Sequence, residues 1–268
     1  MQSADSIIAA VDIGNTRAKL GLFRRSASGQ LSIDTIEAVQ LQTVESLITA
    51  VREWADRNLP EQHHHRIKLA GSNPDLREAL IQHWPFPSDP PQVIRSYSQI
   101  PLQLDVRHPE FTGIDRLLNA VAARHLCGPD RNVIMVDSGT ATTVDLLTAD
   151  NVFRGGSILP GLRLSARAMH DYTARLPLLD VDETLPTLPT VPGRDTREAM
   201  LSGLFLGQLG AVREIISGLE SAIRRQWPHP QPTIVLVSGG GGRQLADHLP
   251  EARSIDSLAL HGLALLQE

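Results

Sequence analysis

The chain has 268 residues, 41% of them hydrophobic and 21% charged, a composition typical of a soluble globular protein with one large or two moderate domains. The formal net charge is −5 and the isoelectric point is near 6.1. The sequence therefore lacks the excess of clustered Lys and Arg that binding to nucleic acid or to an anionic membrane requires. A single cysteine, Cys127, excludes an internal disulfide and a zinc site built from cysteines.

The first residues of the chain do not resemble a signal peptide. Residues 1–7 include Asp5 and no basic segment, and the apolar run that follows is interrupted by Asp12. No uninterrupted apolar run approaches the ~18 residues of a spanning helix. We therefore expect a cytoplasmic protein that binds neither nucleic acid nor membrane.

The first half of the chain opens with a strand, a tight turn and a second strand. The apolar run 7–11 leads into Asp12, Ile13, Gly14, Asn15 and Thr16, and residues 17–23 then alternate between polar and apolar. The patterns that follow predict a strand over 31–36, a helix over 43–57, a strand over 67–70, a helix over 73–83 and two short β pieces within 93–106. An amphipathic helix over 113–126 is the candidate hinge between two domains.

The second half repeats the opening pattern. An apolar strand over 133–136 ends in Asp137, Ser138, Gly139, Thr140, Ala141 and Thr142, and a strand over 143–147 follows. Asp12 and Asp137 are 125 residues apart. This self-similarity predicts two halves of like topology, which we place at 1–116 and 117–268.

The remaining elements are a long helix, a third buried strand and a closing helix. The helix over 196–227 begins with Asp195 and Glu198 in capping-box spacing, and its apolar face is unusually broad. Gly203 and Gly207 on that helix would allow another helix to approach closely, which predicts a homodimer. A strand over 233–237 leads into the glycine run 239–242, and a helix over 258–266 closes the chain.

The strand-ending aspartates predict a nucleotide site. A carboxylate at a strand end can hold hydrated Mg²⁺, and the glycine turn after it can offer amide N–H groups to phosphate oxygens. The alternative is that Asp12 and Asp137 only stabilise tight turns, as Asp-x-Gly sequences often do. Two copies after matching strands, with a glycine run after a third strand, favour the nucleotide site.

Two further segments make the pattern specific. Residues 113–116 (Gly113, Ile114, Asp115, Arg116) and the glycine-containing segment 155–161 lie in series with the two aspartate turns. In this order and spacing, the segments resemble those of the type III pantothenate kinases, and the match covers nearly the whole chain. The resemblance implies an α/β fold of two RNase H-like (actin-like ATPase) domains, each with a mixed five-stranded sheet flanked by helices, with ATP in the cleft. The activity it implies is ATP-dependent phosphorylation of pantothenate to 4′-phosphopantothenate, the first step of coenzyme A synthesis.

The resemblance also implies roles for individual residues. Asp115 would be the general base, Asp12 would hold Mg²⁺, and Asp137 would bind a monovalent cation, K⁺ or NH₄⁺. The residues implied to bind ATP and its phosphates are Asp12, Gly14, Asn15, Thr16, Gly139, Thr140, Thr142, Gly239 and Gly240. Those implied to bind pantothenate are Gly113, Ile114, Arg116, Gly156 and Thr196, in an acceptor site near the interface of a homodimer.

Several alternatives remain open at this stage. Asp115 could instead cap its helix, because Thr112 and Asp115 have N-cap and N3 spacing. Arg116 could pair with Asp115, bind a phosphate or lie in solvent. Val106 stands where the family usually has Tyr, and Asp195 where it usually has Asn. The rival functions are an ATP or polyphosphate hydrolase and a non-catalytic accessory or regulatory protein of the same fold.

Overall fold

The computed structural model describes residues 6–41, 43–59, 65–181, 185 and 188–267. The strands are β1 Ser6–Ile13, β2 Arg17–Arg25, β3 Leu31–Gln40, β4 His65–Gly71, β5 Gln92–Val93, β6 Gln103–Leu104, β7 Val133–Ser138, β8 Ala141–Leu147, β9 Val152–Pro160, β10 Ile234–Ser238 and β11 Arg253–Ser254. The helices are α1 Val44–Asn58, α2 Pro74–Gln82, α3 Ile114–Cys127, α4 Leu162–Asp171, α5 Thr196–Gln226, α6 Gly242–Ala246 and α7 Leu258–Leu265.

The two sheets share one topology, which confirms the predicted repeat. The first sheet has the order β3-β2-β1-β4-β5, and the second has β9-β8-β7-β10-β11 in the corresponding positions. In each sheet the first three strands of this order pair antiparallel. The fourth strand pairs in parallel with the strand that carries the aspartate, and the fifth pairs in parallel with the fourth. The expectation of five strands holds for the first sheet only, because β6 adds a sixth strand to the second, parallel to β9.

The described fold divides into two compact units. The first contains Met1–Leu102, Arg107–Ala122 and Ser257–Glu268, and the second contains Gln103–Val106 and Ala123–Asp256. The division falls within α3, the predicted hinge helix, after Ala122. The division of the chain into two domains at residue 116 stays a prediction.

The closing helix belongs to the first unit and not, as the sequence-based division had it, to the second. Helix α7 packs on β1, β2 and β4, and the ring of His261 meets that of Phe23 edge to face. The buried Lys68 donates hydrogen bonds to the carbonyl oxygens of Ala264 and Leu266, and Arg25 donates to that of Ala264 at 2.8 Å. The two cations thus satisfy carbonyl groups that a helix C-terminus leaves without backbone partners.

The core of the second unit lies between its sheet and the long helix α5. Apolar side chains of β7, β8 and β10 pack there against α4 and against buried residues of α5, including Leu204, Phe205 and Val212. Among the residues described, α5 is the one helix long and apolar enough to cross a membrane by length and composition alone. The sequence-based expectation rested on long uninterrupted apolar runs. It did not single out α5, because the apolar residues of this helix are interspersed with polar ones.

Candidate active site

In the first unit, Asp12 occupies the last but one position of β1. It lies opposite Lys19 on the antiparallel strand β2 and opposite Ala70 on the parallel strand β4. Ile7, Ala9, Val11 and Ile13 belong to the core cluster with α1 and α2, so the alternation of strand side chains turns Asp12 toward the opposite face, where α7 packs. Asp12 is buried, although its neighbours in the turn after β1 are more exposed.

The predicted tight turn joins β1 to β2. The amide of Gly14 donates to the carbonyl oxygen of Arg17 at 2.9 Å, which closes the turn over Asn15 and Thr16. A Cβ at Gly14 would lie 3.0 Å from that same oxygen, so a larger residue would have to open the turn. The turn that the sequence predicts therefore begins directly after the strand that carries Asp12, and it includes Thr16.

A feature that the sequence did not reveal supports this turn from β4. A Cβ at Gly71 would lie 2.5 Å from the carbonyl oxygen of Ile13, which also accepts a hydrogen bond from the amide of Asn73 at 3.4 Å. Gly71 therefore lets β4 approach the end of β1. The small residues Ala70, Gly71 and Ser72 at the end of an apolar strand were the signal that could have found it.

Asp115 lies in the first turn of α3, one position before the N3 site that the capping-box alternative gives it. Because α3 begins at Ile114, Asp115 is the second helical residue, and its Oδ1 accepts from the amide of Arg116 at 2.9 Å. A Cβ at Gly113 would lie 2.5 Å from that Oδ1. A helix N-terminus stabilises negative charge, and the hydrogen bond from the Arg116 amide orients this carboxylate.

The second unit repeats the aspartate turn with Asp137 and the loop after it. Asp137 lies opposite Thr143 on β8 and opposite Ser238 on β10, as Asp12 lies between β2 and β4. Within the loop, the amide of Gly139 donates to the carbonyl oxygen of Ala141 at 3.1 Å. The amide of Gly161 donates to the carbonyl oxygen of Thr140 at 3.0 Å, so the end of β9 anchors the loop.

The glycine run after β10 meets this loop, as the sequence predicts. The amide of Gly241 donates to the carbonyl oxygen of Ser138 at 3.0 Å. Gly239 has a φ of +89°, and a Cβ there would collide with the Ser138 carbonyl and lie 2.6 Å from Oδ1 of Asp137. The structure thus brings Asp137, the loop 139–142 and the run 239–242 together on one edge of the second sheet.

Two glycines of the segment 155–161 are required for close contacts within the second unit. A Cβ at Gly156 would collide with the carbonyl oxygen of Val144, and one at Gly161 with that of Gly139. The segment is mostly strand β9, which the sequence analysis did not assign. Val106 packs beside it, with its Cγ1 3.3 Å from a Cβ placed at Gly155.

Asp195 and Thr196 begin the long helix. Oδ1 of Asp195 accepts from the amide of Glu198 at 2.8 Å, so Asp195 is the N-cap. Glu198 reaches back to the amide of Arg194 at 2.7 Å and not to that of Asp195, one residue beyond a capping box. Thr196 is exposed at the first helical position.

Thr142 has a different setting from the rest of its loop. It is fully buried, and its Oγ1 accepts from Nε2 of Gln208 on α5 at 2.6 Å. Gln208 was not predicted as a site residue, and its polar side chain on the otherwise apolar face of α5 was the signal. The side chain of Thr142 therefore supports the loop from beneath, and its contact with a phosphate stays a prediction.

Asp12 is a side chain of the first unit that could hold a metal ion together with a nucleotide. No group of three His, Cys, Asp or Glu side chains that could hold a metal occurs in the part of the chain that the structure describes. Mg²⁺ in phosphotransferases takes one or two carboxylates together with water and phosphate oxygens, and single strand-end carboxylates such as Asp12 suit that set.

The two sheets with an aspartate turn at equivalent positions define the fold class: an α/β fold of the actin-like ATPase and sugar kinase type. Solved structures agree in fold. A Sinorhizobium meliloti protein described as a 2-dehydro-3-deoxygalactonokinase aligns with a TM-score of 0.55 at 15% identity, over 96% of each chain. A Campylobacter jejuni protein described as a Baf family transcriptional activator aligns with a TM-score of 0.55 at 18% identity, over 95% of this chain and 94% of that one.

The sequence comparisons identify the family. The profile of the type III pantothenate kinases matches residues 8–218. A type III pantothenate kinase from Chlorobaculum parvum is 35% identical over 96% of this chain and 92% of its own length. One from Legionella pneumophila (strain Corby) is 34% identical over 71% of this chain and 70% of its own. The chain belongs to the type III pantothenate kinase family.

Proposed function

We propose that this chain transfers the γ-phosphoryl group of ATP to pantothenate, giving 4′-phosphopantothenate and ADP in the first step of coenzyme A synthesis. The observation that carries the proposal is the family match over residues 8–218, which spans both aspartate turns and the segment of Asp115. The enzyme is a kinase with an alcohol acceptor. Phosphoryl transfer leaves a protein little covalent chemistry, so its residues act by positioning and by charge.

The first unit supplies the carboxylate for the metal. Asp12 is buried on the α7 face of its sheet, next to a turn fixed by the Gly14–Arg17 hydrogen bond. Mg²⁺ bound with ATP would neutralise charge on the β- and γ-phosphates. Asp12 would hold that ion through its water ligands, with Asn15 and Thr16 beside the phosphates.

The second unit supplies the phosphate loop and the monovalent cation site. Gly139, Thr140 and the glycines 239 and 240 would surround the phosphates, in a loop that Gly161 and Gly241 hold by hydrogen bonds to its carbonyl groups. Asp137 would bind K⁺ or NH₄⁺, because a carboxylate beside a phosphate loop is repelled by phosphate unless a cation lies between them.

Asp115 would act as the general base. As the pantothenate hydroxyl oxygen bonds to the γ-phosphorus, its proton passes to the Asp115 carboxylate and the bond from phosphorus to the bridging oxygen of ADP breaks. The fixed Oδ1 of Asp115 supports this role, since a base must be within hydrogen-bond reach of the proton it takes. Gly113, Ile114, Arg116, Gly156 and Thr196 would contact pantothenate.

The outer face of α5 would form a homodimer interface. Leu206 is 43% exposed, and Cβ atoms at Gly203 and Gly207 would meet nothing within 4 Å, so this face is apolar and open to a second helix. A second copy of the chain would cover it and complete the acceptor site. We also propose that the enzyme works in the cytoplasm, with α5 as a packing helix, because buried residues of α5 already pack on the second sheet.

The proposal is tested by following ADP release with pantothenate, with pantetheine and with no acceptor. Pantothenate-dependent release, with phosphopantothenate identified by mass spectrometry, is the expected result. Equal release without an acceptor would instead identify a hydrolase. Nucleotide binding without any release would identify a non-catalytic protein of the family.

A further inference from the structure

Three polar side chains lie buried beneath the loop that follows Asp137. Ser138 is 2% exposed, Thr142 is 0% exposed and Gln208 is 7% exposed; we call these three residues the buried polar triad. Nε2 of Gln208 lies 2.6 Å from Oγ1 of Thr142 and 3.4 Å from Oγ of Ser138, and the two hydroxyl oxygens are 3.5 Å apart. The triad therefore joins α5 to two neighbouring strands.

The triad holds both ends of the loop. Ser138 is the last residue of β7 and lies opposite Thr142 on β8, so the loop 139–141 begins and ends at these two residues. Ile134, Val136 and Val144, which share their sheet face by alternation, pack in the core with α5, whereas Asp137 and Thr143 face the other way. Gln208 thus acts from the side of the hairpin opposite Asp137.

The side chain of Gln208 lowers stability at this position because one of its polar atoms is unpaired in the described part of the chain. Among the described residues its Oε1 has no hydrogen-bond partner, although the atom is buried. A buried polar atom without a partner costs stability, and each such atom in a native structure calls for an explanation. A methionine of similar size would pack against the same core without that cost.

We propose that Gln208 is a positioning residue for phosphoryl transfer: its amide group fixes the hydroxyls of Ser138 and Thr142 and so holds the loop 139–141 in its phosphate-binding shape. The Gln amide nitrogen carries N–H donors and lies within hydrogen-bond distance of both hydroxyl oxygens, with the shorter distance to Thr142. No apolar side chain can do the same. The inference rests on the proposed function for its phosphate ligand but not for the identity of the acceptor.

The test compares Gln208→Met with a matched control, Leu209→Met, a volume-conserving change at the next buried residue of α5. Affinity for a non-hydrolysable ATP analogue is measured by calorimetry with Mg²⁺, and KM for pantothenate and the melting temperature are measured alongside. Gln208→Met should weaken ATP-analogue binding roughly tenfold, the factor that a lost hydrogen bond of this kind accounts for. The KM for pantothenate should change less than about twofold, and the melting temperature shows that each variant is folded at the temperature of the assay.

A second variant keeps the proposal open to refutation if Gln208→Met does not fold. Thr142→Val removes the same hydrogen bond from its other partner, and it should weaken the analogue to a similar extent. If both variants fold, the double variant should lose no more than either single one, because the two residues act as one unit. Analogue affinity within twofold of the wild type, equal weakening in Leu209→Met, or independent additive losses would overturn the proposal.

The outcomes also separate this inference from the proposed function. Calorimetry of the ATP analogue needs no acceptor. A wild-type protein that binds the analogue but does not phosphorylate pantothenate would refute the proposed substrate and leave the comparison of Gln208 variants intact. A wild-type kinase whose Gln208→Met variant binds the analogue normally would refute the positioning role alone.

Discussion

Gly113 leaves the space in which the Asp115 carboxylate lies, since a Cβ at residue 113 would stand 2.5 Å from Oδ1 of Asp115. The position of the Asp115 carboxylate therefore explains why residue 113 is a glycine. Because the atom that would be displaced is the end of a flexible side chain, an added methyl group would move the carboxylate without unfolding the helix.

Gly113→Ala should accordingly reduce turnover and spare the fold. We expect kcat to fall about 10²-fold, as a displacement near 1 Å of a reacting group can cause. The free energy of unfolding should change by less than about 1.5 kcal/mol, the scale of an N-cap change. Gly218→Ala, where a Cβ meets nothing within 4 Å, is the control and should keep full turnover. A Gly113→Ala enzyme with wild-type kcat would contradict the assignment.

Asp115→Asn tests the base directly. Asn keeps the side-chain shape and can still accept from the amide of Arg116, so the free energy of unfolding should change by less than about 1 kcal/mol. The kcat should fall by about 10²-fold or more, the usual contribution of a general base, while ATP affinity stays near that of the wild type. If this variant turns over at near-wild-type rate, Asp115 is not the base.

Asp137 should make the enzyme depend on a monovalent cation. We expect the wild type to be faster in KCl or NH₄Cl than in NaCl at equal ionic strength. Asp137→Asn should lose that difference, because the amide carries no charge to hold the ion. Rates are compared by ADP release in matched salts. Equal wild-type rates in K⁺ and Na⁺ would remove the cation site from Asp137.

Leu206→Glu should prevent the proposed homodimer from forming. The change places a charge at an exposed apolar position of α5 between Gly203 and Gly207, where a second helix would have to desolvate it. Leu126→Glu is a matched control, since Leu126 is also 43% exposed but lies on α3. Sedimentation equilibrium at micromolar concentration reads the result. A wild type that is already monomeric and fully active would refute the dimer.

Lys68→Met should loosen the closing helix. The change removes the buried donor to the carbonyl oxygens of Ala264 and Leu266, and we expect a loss of about 1–3 kcal/mol in the free energy of unfolding. Arg25→Met removes a donor that is only partly buried and should cost less. Denaturant melts measure both variants. Equal stability of Lys68→Met and the wild type would show that α7 is held by its apolar contacts alone.

The aspartate turns were predictable because their signals are local. An apolar strand, a carboxylate, a glycine and a second alternating strand lie within about a dozen residues at both Asp12 and Asp137, and the structure forms both hairpins. The repeat also predicted two halves of like topology, and in the structure β4 and β10 each pair in parallel with the strand that carries the aspartate.

The parts that were missed depend on contacts distant in sequence. Strand β9 was not assigned because Gly155, Gly156 and Pro160 are typical of turns, yet Gly156 is needed where the Val144 carbonyl lies against it. Gln208 gains a role only through Thr142, 66 residues earlier. The packing of α7 on the first sheet involves hydrogen bonds from Lys68 and Arg25. Their acceptor on the helix lies about two hundred residues later in the chain.

That late partnership has a consequence for the order in which the parts of the two units are synthesised. Multidomain chains generally complete their N-terminal part first as synthesis proceeds. Here the second unit, which runs to Asp256, has all its segments before α7 is made, whereas the first unit includes residues from Ser257 onward. The face of the first sheet that carries Phe23 and Asp12 is therefore uncovered by α7 until the residues from Ser257 onward have been made. The unit that is synthesised first is completed last, and its nascent sheet is the surface that a chaperone would meet.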